Sequence, residues 1–263
     1  MVIDFHAHAF ADKIAETAMT KISTSVPQII PSTDGTLGGL LEQMNKNGIA
    51  KSVVLPIATK PSQQEVVNNW AASVMSDRVN SFGSIHPEAD DALEMLENIK
   101  NLGLYGIKLH PDYQDFFADE KRLFPIYQKC SELKLPIVFH VGFDPVSPNI
   151  IHGTPKMFAE VLNEFPDLCV ILAHLGGMNM WDDVEKYLVG KDVYFDVSMC
   201  FTEISDCQFK RILKNHGSEK LLFATDIPWD IPQRPLQKLH EFALPKNDLD
   251  NILYKNAQKI LGV

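Results

Sequence analysis

The strongest constraint on the fold is an alternation of short apolar runs with helical patterns along the whole chain of 263 residues. The runs are rich in Val, Ile, Leu and Phe, and several are nearly continuous, as is typical of buried parallel strands. There are eight such runs, at residues 2–8, 51–57, 79–85, 104–110, 136–141, 168–174, 192–198 and 220–226. The pattern predicts eight strands in one repeating arrangement.

Helices are predicted between these strands and after the last one. They cover residues 37–47, 63–75, 89–101, 120–133, 155–165, 181–188, 203–215, 233–242 and 248–261. Eight strands that alternate with helices predict an α/β fold, a (β/α)8 TIM barrel formed by a single domain over residues 1–263. The alternative is an open doubly wound sheet, which usually has a glycine-rich phosphate loop after its first strand. This chain has two histidines there instead, which favours the barrel.

One connection is longer than a typical βα loop. Residues 9–36 separate the first strand from its helix, and in a barrel they would lie at the C-terminal mouth. We expect this segment to form a lid or one wall of a pocket.

Composition excludes several classes of function. The chain has 24 basic and 34 acidic residues, a net charge of −10, so it lacks the basic clusters of a nucleic-acid binder. Its four cysteines lack CxxC spacing, which argues against a zinc–thiolate cage or a disulfide framework. No apolar run is long enough to span a membrane, and no secretory pattern opens the sequence. We expect a cytoplasmic protein with a small-molecule substrate, and a homodimer as the commonest symmetric assembly.

Histidines and one aspartate gather at the C-terminal ends of the predicted strands. They are His6, His8, His110, His140, His174 and Asp226. In a barrel these ends converge on one face, and active sites are built there. Scattered histidines would not follow this distribution.

The first strand carries a His-x-His pair. Side chains two apart on a strand point the same way, so His6 and His8 can present ring nitrogens to one point. The pair alone is a weak signal, since two such histidines are often structural. Asp226 strengthens it, because a carboxylate at the end of a buried run is costly unless it is paired. A helix N-cap remains the alternative for Asp226.

Together these segments resemble the amidohydrolase superfamily, and within it the amidohydrolase-related (amidohydrolase 2) branch that includes enzymes like aminocarboxymuconate-semialdehyde decarboxylase. The matching segments are IDFHAH, GSIHP, GIKLHPDYQ, PIVFHVG, VILAHLGG, VYFDVS, LLFATDIPW and LYKNAQKILG. They occur in the expected order over almost the whole chain.

The resemblance implies a distorted barrel with a divalent metal at its mouth, zinc rather than another ion and one ion rather than two. His6, His8 and His140 would be metal ligands. Asp226 would bind the metal and act as the general acid/base. His174 would contact the substrate or the attacking water, or a second ion in binuclear relatives.

Three further residues are candidates for substrate contact. In some superfamily members a lysine at the position of Lys108 is carbamylated and bridges two metals, but here we expect an ion pair or a contact with a substrate carboxylate. His110 would lie in the pocket or behind the ligands. Trp229 follows the last strand and would contribute to an apolar pocket.

The resulting prediction is a metal-dependent hydrolase that attacks a small amide, ester or lactone with metal-activated water. The first alternative is a metal-dependent decarboxylase of a small carboxylic acid, aromatic or unsaturated, which would release carbon dioxide instead of adding water. The second alternative is a barrel that binds a metal or ligand without turnover.

Overall fold

The computed structural model describes residues 1–263, and all eight predicted strands are present. They are β1 (Ile3–Ala7), β2 (Lys51–Val54), β3 (Val79–Ser81), β4 (Ile107–Leu109), β5 (Ile137–Phe139), β6 (Val170–Leu172), β7 (Tyr194–Asp196) and β8 (Leu221–Leu222). Each strand lies inside one predicted run and is shorter than it. The polar residues at the ends of the runs therefore lie mostly in the loops just beyond the strands.

The helices surround these strands. They are α1 (Asp12–Ser25), α2 (Leu37–Asn47), α3 (Gln64–Ser73), α4 (Ala92–Asn101), α5 (Pro111–Gln114), α6 (Phe124–Leu133), α7 (Pro155–Glu164), α8 (Trp181–Tyr187), α9 (Asp206–His216), α10 (Gln233–Glu241), α11 (Lys246–Asp250) and α12 (Asn256–Leu261). A π-helical turn, Asn251–Lys255, joins the last two, so the predicted final helix is one continuous helical segment with a wider turn in it. No helix has both the length and the apolar character that crossing a membrane requires.

The strands close into a barrel, which confirms the predicted (β/α)8 fold. All neighbouring strands are parallel, in two groups ordered β1-β2-β3 and β4-β5-β6-β7-β8. Backbone hydrogen bonds join the groups on both sides. Between β3 and β4 the amide of Lys108 donates to the carbonyl of Gly83 (2.8 Å), and between β8 and β1 the amide of Asp226 donates to the carbonyl of His6 (2.8 Å).

The barrel interior changes from apolar to polar along its axis. Phe5 and Phe82 meet edge to face in an inner apolar cluster, with ring centroids 5.7 Å apart. On β4, Ile107 and Leu109 pack in the outer core, so the alternation of a strand directs Lys108 into the barrel. This alternation places polar groups in the interior near the C-terminal mouth.

The long β1–β2 connection contains helix α1, which the sequence did not predict. Its buried residues are only Ala15 and Met19, and so narrow an apolar stripe gives little periodic signal. Beyond the helix, the amide of Ser32 donates to the carbonyl of Pro228 (2.7 Å) and its hydroxyl donates to the carbonyl of Asp230 (2.9 Å). The connection is thus fastened to the loop that follows Asp226.

Gly142 fixes the course of the loop after β5, because it has φ of +89° and a Cβ there would collide with the backbone N and O of Met178. We predict that Gly142→Ala lowers the free energy of unfolding by about 3 kcal/mol. Gly48→Ala is the control, since Gly48 also has positive φ but open space around it, and it should cost only about 1 kcal/mol. Urea denaturation measures both, and equal losses would contradict the role of the Met178 contact.

Candidate metal centre

Three side chains converge at the mouth of the barrel. His6 Nε2 lies 3.2 Å from His8 Nε2 and 3.3 Å from Asp226 Oδ1, and His8 Nε2 lies 3.0 Å from the same oxygen. Ligand atoms about 2.0–2.1 Å from a tetrahedral ion are roughly 3.3 Å apart, so this triangle has the size of a metal site. The sequence predicts these three residues as metal ligands together with His140, which lies outside the triangle.

The tautomers of both histidines are fixed from behind. His6 Nδ1 lies 2.8 Å from Asp196 Oδ2, and His8 Nδ1 lies 2.8 Å from the carbonyl oxygen of Leu55. Both partners are acceptors, so each Nδ1 carries the proton and each Nε2 presents a lone pair. Two imidazole lone pairs and a carboxylate oxygen that face one another favour a bound cation between them.

Burial sets the protonation of these groups. It lowers the pKa of His6 to about 4, which keeps the ring neutral. Burial alone would raise the pKa of Asp226, but the adjacent imidazoles of His6 and His8 hold it well below its usual value. Burial also lowers the pKa of Lys108, to about 8, and its Nζ lies 3.4 Å from His6 Nε2. A neutral imidazole and an ionised carboxylate are the forms that bind metal.

Asp196 is the main residue of the site that sequence reasoning missed. Its Oδ2 accepts from His6, and its Oδ1 accepts from the amides of His174 (3.2 Å) and Ser198 (3.0 Å) and from the Ser198 hydroxyl. It ends a buried run in VYFDVS, as Asp226 ends another in LLFATDIPW, so the same signal was present. Burial alone would raise the pKa of Asp196, but the electrostatic attraction and hydrogen bond of the His6 Nδ1–H group outweigh burial and lower it.

Asp4 supports the same strand from the other side. Its Oδ1 accepts from the amides of His6 (3.2 Å) and Thr225 (3.0 Å), and its Oδ2 accepts from the Thr225 hydroxyl (2.7 Å). Burial raises the pKa of Asp4 to about 7. Asp4 therefore links β1, which contains His6, to the segment after β8, which contains Asp226.

His174 lies beside the triangle and not in it. Its ring centroid is 5.7 Å from that of His6, and its Nδ1 lies 3.0 Å from the Ser198 hydroxyl. Its Nε2 lies 3.0 Å from His140 Nδ1. The backbone of His174 has φ of +59°, and its carbonyl accepts from the indole N–H of Trp181 (3.1 Å). The ring is therefore held firmly at the edge of the centre.

The structure places His140 in a neighbouring group. Ligand atoms of His110, His140 and Asp144 all lie within 4.8 Å of one another, and His140 is not part of the His6 triangle. His140 Nε2 lies 3.8 Å from Asp144 Oδ2 and 3.9 Å from Asp112 Oδ2. The His110 ring stacks on both His140 (centroids 4.2 Å, 9°) and Tyr113 (3.7 Å, 7°).

Of the other two candidates for substrate contact, Lys108 is buried next to His6, as described above. Trp229 is partly exposed in the loop after β8, where its amide donates to the carbonyl of Asp226 (2.8 Å). Lys108 therefore borders the triangle from inside the barrel, and the backbone of Trp229 lies next to that of Asp226 at the mouth.

Comparison with known proteins assigns the chain to a family. The family model described as Amidohydrolase (Amidohydro_2) matches residues 3–263. The chain belongs to this family and is an enzyme of the amidohydrolase superfamily, as the sequence motifs predicted.

A curated relative and two solved structures extend the comparison. The 2-amino-3-carboxymuconate-6-semialdehyde decarboxylase of Dictyostelium discoideum is 24% identical; the match covers 76% of this chain and 66% of that protein. An uncharacterised TIM-barrel protein from Bordetella bronchiseptica has a TM-score of 0.81 at 21% identity, covering 99% of this chain and 98% of that one. A 5-carboxyvanillate decarboxylase from Novosphingobium aromaticivorans, complexed with manganese and 4-hydroxy-3-methoxy-5-nitrobenzoic acid, has a TM-score of 0.73 at 15% identity, covering 100% and 96%. The structural likenesses establish the barrel fold.

We predict that Asp196→Asn lowers the free energy of unfolding by about 3 kcal/mol, because an amide cannot replace a fully buried carboxylate that accepts from four donors. Asp192→Asn is the control on the approach to the same strand, where the carboxylate is exposed and pairs only with Lys220; it should change stability by less than about 1 kcal/mol. Denaturant unfolding measures both. A loss for Asp196→Asn no larger than for Asp192→Asn would show that the buried network contributes little.

Proposed function

We propose that the protein is a metal-dependent decarboxylase of a small carboxylic acid, aromatic or unsaturated. The observation that carries this proposal is the His6–His8–Asp226 triangle at the mouth of a barrel whose curated relative is named a decarboxylase. The sequence alone favours a hydrolase, with a decarboxylase as the first alternative. The names of the relatives support the second reaction, and the same ligand set serves either one.

His6, His8 and Asp226 would hold the ion. Two imidazole nitrogens and one carboxylate oxygen suit zinc or manganese, and manganese is present in the 5-carboxyvanillate decarboxylase structure. His140, which the sequence predicts as the third histidine ligand, would have to turn its ring away from Asp112 and Asp144 to join them. The bound ion would supply positive charge that stabilises negative charge developing on the substrate.

The charge of the site favours an anionic substrate. A divalent ion and Lys108 would place positive charge beside the carboxylates of Asp226 and Asp196, in a buried setting where charge is weakly screened. We propose that Lys108 binds an oxygen anion of the substrate next to the ion. His110 and Trp229 would form parts of the pocket wall.

Decarboxylation breaks the bond between the substrate carbon and its carboxylate, leaves the electron pair on that carbon, and replaces carbon dioxide with one proton. Asp226 and His174 are the groups we propose to handle this proton. Asp226 is ionised in the triangle, so it would take a proton from solvent at an oxygen and pass it to that carbon. His174 Nε2, on the side of His140, is the ring nitrogen that can exchange one.

The test is a product assay on the chain loaded with Mn²⁺ or Zn²⁺, with 5-carboxyvanillate and 2-amino-3-carboxymuconate-6-semialdehyde as substrates. A decarboxylase releases one carbon dioxide per turnover, and in D₂O it places deuterium on the carbon that carried the carboxylate. Turnover of lactones or amides without carbon dioxide release would instead establish the hydrolase alternative. Metal uptake without either reaction would favour a barrel that binds without turnover.

Asp226→Asn is predicted to lower turnover at least about 100-fold, because proton transfer by a positioned carboxylate is lost. The variant keeps an oxygen ligand, so most of the metal should remain bound. His6→Ala with His8→Ala should remove the ion from this centre, as measured by elemental analysis. Asp206→Asn, on the exposed side of α9, is the control and should leave turnover unchanged. Full activity of Asp226→Asn would refute the proton-transfer role.

A further inference from the structure

We infer that Gln114 is a positioning residue of the substrate pocket: it fixes the backbone of His110 and thereby holds Tyr113 as one wall of that pocket. The inference rests on the proposed function, because it concerns the pocket that a small aromatic or unsaturated acid would enter. Gln114 and Tyr113 belong to α5, the one-turn helix that follows β4 in the segment GIKLHPDYQ. Neither residue has a role in the metal centre described above.

The side-chain amide of Gln114 joins three loops at the mouth of the barrel. Its Nε2 donates to the carbonyls of Ala58 (2.8 Å) and Ile85 (2.7 Å), and its Oε1 accepts from the amide of His110 (2.9 Å). These partners follow β2, β3 and β4, respectively. Gln114 is 1% exposed, and both N–H groups and the carbonyl of its side chain are engaged. The amide has one orientation that satisfies all three partners, since two are acceptors and one is a donor.

Gln114 acts at the junction of the two groups of strands. The segments of β3 and β4, which belong to different groups, meet in an isolated bridge between Gly83 and Ile107. Further toward the mouth, the Ser84 hydroxyl donates to the carbonyl of Lys108 (3.0 Å), and the Gln114 amide joins the residues that follow on each side. Buried side-chain hydrogen bonds therefore set the distance between these two loops.

Gln114 holds His110 by both of its backbone groups. The main-chain N–H of Gln114 donates to the His110 carbonyl (3.0 Å), and its side chain accepts from the His110 amide (2.9 Å). Pro111 begins the turn between them with its fixed φ, and Asp115 ends it in the left-handed region (φ 53°). The backbone of His110 is therefore bound on both sides, which fixes the direction of its Cα–Cβ bond.

The His110 ring in turn supports Tyr113. The two rings are stacked, with centroids 3.7 Å apart and planes at 7°. His110 is buried and Tyr113 is partly exposed, so Tyr113 presents the surface and His110 lies behind it. Burial raises the pKa of the Tyr113 hydroxyl, and the charges of Asp144 and Asp226 add to this effect. The phenol therefore keeps its proton and lies within electrostatic reach of the Asp226 carboxylate.

Tyr113 offers an aromatic ring and a hydroxyl donor to a flat substrate. An aromatic side chain packs well against a planar conjugated acid, and the phenol O–H can donate to one of its oxygens. Loss of the Gln114 hydrogen bonds would free α5 and let this wall shift. Such a shift weakens substrate binding, whereas the metal ligands on β1 and after β8 stay in place.

The test compares the wild type with Gln114→Met, a side chain of similar length that makes none of the three hydrogen bonds, both loaded with Mn²⁺. We expect KM for 5-carboxyvanillate and Kd for 4-hydroxy-3-methoxy-5-nitrobenzoic acid to rise about tenfold, while kcat and Mn²⁺ per chain change less than about twofold. Hydrogen exchange of the His110 amide, followed by NMR, should accelerate at least about tenfold. The Lys108 amide, which donates to the Gly83 carbonyl, should keep its protection.

Gln128→Met is the matched control, because Gln128 is exposed on α6 and its amide donates to Glu132 alone (2.9 Å). It should leave KM, Kd and the exchange of the His110 amide unchanged. Tyr113→Leu is a second variant, which tests the wall even if Gln114→Met does not fold. It keeps the Gln114 hydrogen bonds, so it should raise KM and Kd while the His110 amide stays protected.

Wild-type KM and Kd in a folded Gln114→Met variant would overturn the inference, because Gln114 would then contribute to stability alone. Wild-type KM and Kd in Tyr113→Leu would also overturn it, since the ring would then not border the substrate. So would a His110 amide that stays protected in Gln114→Met. A wild type that neither turns over 5-carboxyvanillate nor binds the nitrobenzoic acid counts against the proposed function instead, and faster exchange at His110 in Gln114→Met would still support the positioning role.

Discussion

The hydrogen bond between His6 Nδ1 and Asp196 Oδ2 is the interaction on which the rest of the site depends. It crosses the barrel from β1 to β7 and fixes which nitrogen of His6 faces the mouth. Without it, His6 Nε2 could carry a proton and the triangle with His8 and Asp226 would lose its convergent lone pairs. The same carboxylate also holds the backbone of His174, so one buried anion orients two histidines.

The buried polar groups of this site are tolerated because the barrel interior is divided along its axis into an apolar part and a polar part. The apolar cluster around Phe5 and Phe82 fills the part of the interior away from the mouth. It buries apolar surface, which stabilises the fold. The polar groups above it are then desolvated, which keeps His6 neutral and lowers the pKa of Lys108. Burial in the barrel interior therefore sets the protonation of the groups at the mouth.

Much of this could be predicted from the sequence, because strand periodicity and the barrel rule decide which residues meet at the mouth. His6, His8 and Asp226 follow from their positions at the ends of buried runs. Helix α1 could not be predicted, since its apolar stripe is too narrow. The side to which the His140 ring points could not be predicted either, because it depends on contacts with Asp112 of α5 and with Asp144 further along its own loop.

The orientation of His140 links the two groups of polar residues. His140 Nδ1 lies 3.0 Å from His174 Nε2, and His174 Nδ1 lies 3.0 Å from the Ser198 hydroxyl. That hydroxyl in turn donates to Asp196 Oδ1. The hydrogen bonds that set His6 for the metal centre therefore also direct His140 Nε2 toward the carboxylates of Asp112 and Asp144. A single ring cannot direct this nitrogen to two places, so the rotation of His140 decides whether it faces those carboxylates or joins His6, His8 and Asp226 as a ligand.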